Sequence, residues 1–511
     1  MRESTIAGLI TFGFLAALSL FLPFQSILSS VLLDDTFYYA QIARNLAHKG
    51  LLSFDGIHET NGFHPVWLLL ITPVAYFFPE DETFIRGILL VEAIFSALAV
   101  AWTWQLLRRH FSFSSTLIAT LIALLFYYAN WILICGMEGG IAIAFLFASL
   151  RAHESYIEFP SSGRLISLGV FLGLLALSRL DTALLIGAIG IELLRRKALY
   201  PAILLGILTT LPLCAYLLFN LFYFDHLLPA NALIKLSEDP LQSLYRFSQT
   251  MHRLLFGSQS GLGLLFLLLL LGLGIGWLIY RIRTQTYKVL APSSFYTIGI
   301  PLGAASVTHL LLIVLLIGKI YPWYLIMEVF FMVWVLCVLA YYLERYSPVL
   351  KNVFWIAVVG FVGVIWAPIL YRRWYPKYRE LHLVFREGAH WLEKNTPPTA
   401  KIGCFDAGIV GYFAHRRVIN LDGLVNNVEF VPYARGDSVY AYIRKERIEY
   451  LAQFFIGDGF ETGRLSGSKE EWLKLLGDTL YRKEFRYYST GIFSKAMGKG
   501  VFVVVRMRLD S

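Results

Sequence analysis

"LLDDTFYYAQIARNLAHKGLLSFDGIHETNGFHPVWLLL" occupies residues 32–70, directly after a long apolar N-terminal run. Two adjacent acids, Asp34 and Asp35, stand where the first membrane-length segment ends. Residues 36–48 then read as an amphipathic helix. Tyr39, Ile42, Ala43 and Leu46 follow the i, i+3, i+4, i+7 spacing, and Gln41, Arg44, Asn45 and His48 mark the opposite face. Gly50 is expected to end it, and such a helix is expected to lie along a membrane surface. One reading makes an acid of the pair its N-cap. A cap needs only one carboxylate, so the other reading makes the pair functional, as ionisable groups at membrane depth usually are. In "TNGFHP" a glycine turn sets His64 just before Pro65, a residue suited to open a helix.

Composition sets the class around this stretch. Of 511 residues 57% are hydrophobic and 15% charged, against about 25% charged in a typical soluble domain. Mean hydropathy is +0.62. The aromatic share of 16% suits two interfacial belts of Tyr and Trp. The chain reads as a multispanning membrane protein, and its net charge of +9 as basic loops facing anionic headgroups, not as nucleic-acid binding. Four scattered cysteines make neither a disulfide framework nor a metal motif. The N-terminal run is too long for a signal-peptide core and lacks a small-residue cleavage site, so an uncleaved first helix is expected.

A spanning helix needs about 20 residues. Eleven segments qualify: 5–28, 87–107, 113–130, 139–152, 164–178, 181–194, 199–222, 260–280, 295–318, 323–343 and 352–371. Residues 64–78 are the doubtful case, with Pro65 at the start and Pro73 inside. If they do not cross, the basic clusters at 108–110, 151–164, 195–197, 281–288 and 344–351 all fall on the side of Arg2, as the positive-inside bias requires. The run is therefore expected to be interfacial or re-entrant. That arrangement puts the first loop, 29–86, and the tail outside. Residues 1–375 form the membrane domain and 376–511 a small extracytoplasmic α/β domain, with strands expected at 448–455 and 501–507.

"DDTFYYAQIARNLAHKG" followed by "TNGFHPVWLLLI" resembles the first external loop of the GT-C superfamily of integral-membrane glycosyltransferases. It is similar to the protein O-mannosyltransferases, the lipid A aminoarabinose transferases and the arabinofuranosyltransferases. Further similar pieces follow in order: "GMEGG" at 136–140, "LSRLDTALL" at 177–185, "LPANALIK" at 228–235, then "DAGIVGYF" and "INLDGLVN" in the tail. The second Pro and the Lys of the mannosyltransferase His-Pro-Pro-Leu-Gly-Lys segment are missing, so that branch is not implied.

The resemblance implies transfer of a sugar from a polyprenyl-phosphate donor to a hydroxyl of a lipid, glycan or protein, at the external face of a cell membrane. It makes Asp34 the base and Asp35 its helper. With the charge-derived topology, His64, Glu138, Arg179, Asp181, Lys235 and Lys319 fall near the same face and are candidate substrate-binding residues. Arg179 and Lys319 are the phosphate candidates, because a departing phosphate needs cations rather than a strong acid. The plainer readings pair Arg179 with Asp181 and let Lys319 snorkel. A divalent ion (Mg or Mn) is left open, and Glu138 would join it. Asp406 and Asp422 read as turn and cap residues. The rival readings are a lipid-linked oligosaccharide transferase or ligase, and a transporter, which would need midplane charges such as Glu92 and Glu328.

Overall fold

The computed structural model describes residues 2–129, 132–236, 240–256, 295–317, 321–374, 380–435, 439–456, 476–488 and 497–507. The expected span at 260–280 and the candidate Lys319 lie outside the described residues. The other ten expected segments are helical. Among the described residues five helices are long and apolar enough to cross a membrane: Arg2–Phe21, Asp81–Arg108, Leu199–Phe224, Phe295–Ile317 and Ile326–Tyr346. Shorter apolar helices accompany them, including Ser162–Ser178 and Pro65–Phe77.

The first segment departs from expectation. Instead of one helix over 5–28, Arg2–Phe21 stops and a separate turn, Phe24–Ser30, begins after Pro23. Proline lacks the amide hydrogen and disfavours helix at the residue before it. The carbonyls freed at the break are taken up by Arg86, whose guanidinium donates to Ser19 O and, at 2.9 Å, to Leu22 O.

Helix Asp34–Lys49 ends at Gly50, whose left-handed φ of 68° suits a residue without Cβ. It does not lie open on a surface. The short tail helix Gly408–Phe413 and the Pro65–Phe77 helix pack against it. Phe37 meets Tyr412 and Phe413 at ring distances of 5.3 and 5.5 Å. The expected solvent face is partly covered. Arg44 lies 4.0 Å over the Tyr412 ring and pairs with Asp81 at 2.6 Å, and buried Asn45 donates to Ser53 O at 2.7 Å, while His48 stays exposed. Tertiary packing, which periodicity does not reveal, covers the polar face at Arg44 and Asn45.

The tail holds a five-stranded sheet of β1 (Lys401–Cys404), β2 (Arg417–Asn420), β3 (Tyr450–Ile456), β4 (Leu476–Tyr488) and β5 (Met497–Met507). Its order is β2-β1-β3-β5-β4, with β1 parallel to β2 and β3, and β5 antiparallel to β3 and β4. Helix Glu380–Asn395 covers the sheet through Phe385, 5.3 Å from Phe454 and 5.4 Å from Phe502. One apolar core runs from Phe502 and Phe385 through Phe413 and Phe37 to Trp67 and Ile88. Sheet, first loop and helix Asp81–Arg108 therefore share a core, and this shared packing fixes the seam where the candidate residues gather.

Candidate active site

Asp34 and Asp35 open their helix, but neither caps it. The N-cap is Leu33, which makes no side-chain cap bond, so the reading of the pair as a cap of its own helix is overturned. Asp34 turns instead to the tail. Its Oδ2 accepts from Gly408 N and its Oδ1 from Ile409 N, both at 2.8 Å. Gly408 is required there, since a Cβ would come within 2.0 Å of Asp34 O. One helical turn on, Tyr38 donates its hydroxyl to Asp422 Oδ2 at 3.2 Å and accepts from Ala407 N at 3.1 Å and from Asn420 at 3.2 Å. Asp422 also accepts from Leu424 N at 2.9 Å, the turn role expected of it.

Asp406 and Asp35 complete the acidic seam, and like Asp34 and Asp422 they are partly buried. Burial, reinforced by the neighbouring Asp406, raises the Asp34 carboxyl from 3.8 to about 7, against the pull of the two amide donors. Burial and Asp406 likewise push Asp422 up to about 8. Among the described residues no group of three or more His, Cys, Asp or Glu could hold a metal ion.

The remaining candidates form a second cluster. Arg179, which follows helix Ser162–Ser178, donates to Glu138 Oε1 at 3.0 Å and grips Asp181 in a fork at 3.2 and 2.8 Å. The plain reading of Arg179 as the partner of Asp181 is thus realised, with Glu138 as a second partner. Both Arg179 and Glu138 are buried. Tyr39 donates to Glu138 Oε2 at 3.1 Å, and His64 Nε2 lies 3.6 Å from Oε1. Burial holds His64 below its ordinary value despite that carboxylate.

The "GMEGG" loop that aims Glu138 is braced from three sides. Glu92 accepts from Gly136 N at 2.6 Å, Trp67 Nε1 donates to Gly136 O at 3.2 Å, and Thr36 donates to Cys135 O. A Cβ on Gly136, at φ 81°, would press to 2.3 Å from Thr36 Cγ2. Glu92, a deep acid that a transporter reading would use, therefore serves this loop.

Three residues of the cluster were missed in the sequence. His309 bridges Asp181 (3.6 Å) and Glu328 (2.8 Å), although Glu328 had been noted only as a deep acid. The Tyr324 ring lies between two cations, 5.7 Å from the Arg179 guanidinium and 5.8 Å from Lys235 Nζ. Tyr39 was assigned to an apolar face. A lone ionisable residue inside an apolar segment was the available signal for His309.

Beside this cluster opens a cavity of about 580 Å³. Asp181 and His309 stand on its wall, with Leu184, Ile191, Leu312 and Leu316 supplying the apolar lining. Leu236 also lines it, next in sequence to Lys235, whose Nζ lies 5.8 Å from the Tyr324 ring.

Residues 374–495 match a family described as a domain of unknown function (DUF8728). No curated protein sequence matches the chain. Among solved structures the chain is similar to ArnT from Cupriavidus metallidurans bound to undecaprenyl phosphate, at 13% identity and TM-score 0.52, covering 98% of this chain and 97% of that one. It is also similar to the oligosaccharyltransferase of Archaeoglobus fulgidus. The AglB complex with an inhibitory peptide and a dolichol-phosphate gives 13% identity, TM-score 0.50 and coverage of 88% and 69%. The complex with Zn and sulfate gives 13% identity, TM-score 0.55 and coverage of 96% and 72%. At such identities the likeness is one of fold. The chain has the GT-C fold, a multi-pass helical bundle carrying an α/β tail.

Proposed function

We propose that the chain is a glycosyltransferase that moves a sugar from a polyprenyl-phosphate carrier to a hydroxyl acceptor at the extracytoplasmic face. One observation carries the reading. Asp181 and His309 join the lining of the apolar cavity, and Lys235 directly precedes Leu236, another lining residue, with its Nζ 5.8 Å from the Tyr324 ring. Such a space suits a lipid tail whose phosphate stops at a cationic rim.

In this mechanism Asp34 accepts the proton of the acceptor hydroxyl. The oxygen attacks the anomeric carbon, the carbon–oxygen bond to phosphate breaks, and the electron pair stays on the polyprenyl phosphate. The two tail amides fix the orientation of Asp34, and its value of about 7 matches a base working near neutrality. Asp35 orients the acceptor. The phosphate falls to Lys235, which makes no ion pair within 4 Å among the described residues, with His309 at the cavity wall and Lys319, which lies outside the described residues. Arg179 is occupied by Glu138 and Asp181, so it serves as the strut that positions them, and His64 and Tyr39 steady Glu138. A divalent ion, Mg or Mn, would have to bind through the Asp34–Asp35 pair.

The alternative, transfer of a lipid-linked oligosaccharide, draws on the likeness to the archaeal enzyme and uses the same residues. The test offers purified protein polyprenyl-phosphate monosaccharides, lipid-linked oligosaccharides and nucleotide sugars. Turnover of the first class supports the proposal, turnover of the second selects the alternative, and turnover of nucleotide sugars alone refutes both.

A further inference from the structure

Three helices that reach the proposed site gather their other ends around a second cavity. Asp81 opens Asp81–Arg108, Glu138 precedes Gly139–Glu158, and Arg179 follows Ser162–Ser178. The second cavity, of about 300 Å³, takes Trp102 and Gln105 from the first helix, Arg151 and Ser155 from the second, and Arg164 and Ser167 from the third. Arg151 lies 13 positions beyond Glu138, about 20 Å along a helix. Arg164 lies 15 positions before Arg179, about 22 Å away. The two cavities therefore stand at opposite ends of the apolar bundle.

The lining of the second cavity includes two arginines, two serines and a glutamine, and no acid. Two carboxylates stand nearby, both held by basic neighbours: Glu154 is shared by His110 at 2.5 Å, Arg151 at 3.1 Å and Arg109 at 3.6 Å, and Glu158 also pairs with Arg109. Arg164 lies 5.2 Å over the Phe159 ring, bonds Phe159 O, and makes no ion pair among the described residues. The remaining wall is aromatic, with Trp102 and Phe171 at a ring distance of 6.4 Å. Ile166 and Val170, on the same helix as Ser167, are 47% and 49% exposed, so this edge of the cavity borders a lipid-facing surface.

We propose that this cavity is a binding site for an anionic phospholipid of the leaflet opposite the glycosyl-transfer site. Its phosphate sits between the Arg151 and Arg164 guanidiniums, with a hydroxyl donor from Ser155, while Ser167, whose hydroxyl donates to Gly163 O at 2.9 Å, shapes the wall, and an acyl chain follows Trp102 and Phe171. Arginine forks suit phosphate geometry, and basic pockets between transmembrane helices suit anionic headgroups. The proposal does not depend on which sugar or acceptor the other face handles.

The experiment uses the full chain in micelles, with bound lipids counted by native mass spectrometry during titration with phosphatidylglycerol or phosphatidylcholine. One phosphatidylglycerol is expected to bind about tenfold or more tightly than phosphatidylcholine. Arg151→Gln with Arg164→Gln should weaken it by about 10- to 100-fold. Ser167→Trp keeps both arginines and fills the cavity, and should remove the same lipid without lowering the lipid-free melting temperature. It also decides the matter if the double variant does not fold. Equal retention of the two lipids, or unchanged occupancy in Ser167→Trp, overturns the proposal. Loss in the arginine variant alone shows diffuse surface attraction and also overturns it. Displacement by millimolar inorganic phosphate marks a free-anion site, and this too counts against a lipid.

Discussion

Replacing Asp34 with Asn separates the two roles that the seam assigns to this residue. Asn keeps the shape but presents one carbonyl oxygen, so one of the Gly408 and Ile409 amides loses its acceptor. A hydrogen bond to a charged acceptor is worth about 1.5–3 kcal/mol. An opposing effect comes from proton linkage. The carboxyl rises from 3.8 to about 7 on folding, so between these values the folded chain holds a proton that the unfolded chain has released. Stability therefore falls as pH rises through that window. Each unit is worth about 1.4 kcal/mol at most, less here because the carboxylate is partly open to water. The two effects are of similar size. Thermal unfolding of the micelle-bound protein should show the difference in melting temperature moving in favour of Asp34→Asn between about pH 4 and pH 7.

Sugar transfer should respond differently. With Asp34 as base, the variant binds donor yet loses about 10²-fold or more in turnover. In the wild type the ionised form is the active one, so the rate should decline as pH falls below about 7. Full activity in the folded variant, or a rate indifferent to pH across that range, would refute the assignment and leave Asp34 as a docking contact only.

The other predictions address separate parts of the site. Lys235→Gln should weaken donor binding by about 10- to 100-fold with little change in melting temperature, and an unchanged donor titration removes Lys235 from the phosphate. Arg179→Gln leaves buried Glu138 and Asp181 without their shared cation and should cost about 3–5 kcal/mol, read as a large drop in melting temperature. Stability close to wild type would show that the pair is not the strut described. Leu312→Trp narrows the cavity and should raise the KM for long-chain donors while sparing short-chain analogues, and equal effects on both would place the lipid elsewhere.

Hydropathy located ten helical segments because it reports apolar length, and Gly50 marked a helix end because only its conformation was at issue. The same measure passed over Pro23, which adds no polarity yet interrupts the helix. β4 escaped notice for the opposite reason. As an edge strand it leaves Arg482, Lys483 and Glu484 exposed and anchors itself through buried Phe485, so its run looks too polar for a strand. The acid pair was legible at the end of the first segment, but its partners at Gly408 and Ile409 are some 374 residues away and backbone donors have no signature in sequence. Asn45 illustrates the same limit. It reads as exposed polar and is buried, because the Ser53 and Phe54 carbonyls satisfy its amide.

Those backbone donors make the tail part of the reaction centre in the proposed mechanism. Asp34 owes its orientation to the first turn of a tail helix, and its raised pKa chiefly to the burial that tail helps create. Gly408→Ala tests this without altering any titratable group. A Cβ there would lie 2.0 Å from Asp34 O, so the tail helix must move away and carry both amide donors with it. The strain and the lost contacts should cost about 1–3 kcal/mol, visible as a lower melting temperature. Donor binding, which rests on Lys235 and the cavity, should persist, while turnover falls because the base is no longer held in line with the acceptor. A variant that keeps full turnover despite the lowered melting temperature would show that the tail merely docks at the seam and contributes nothing to the orientation of Asp34.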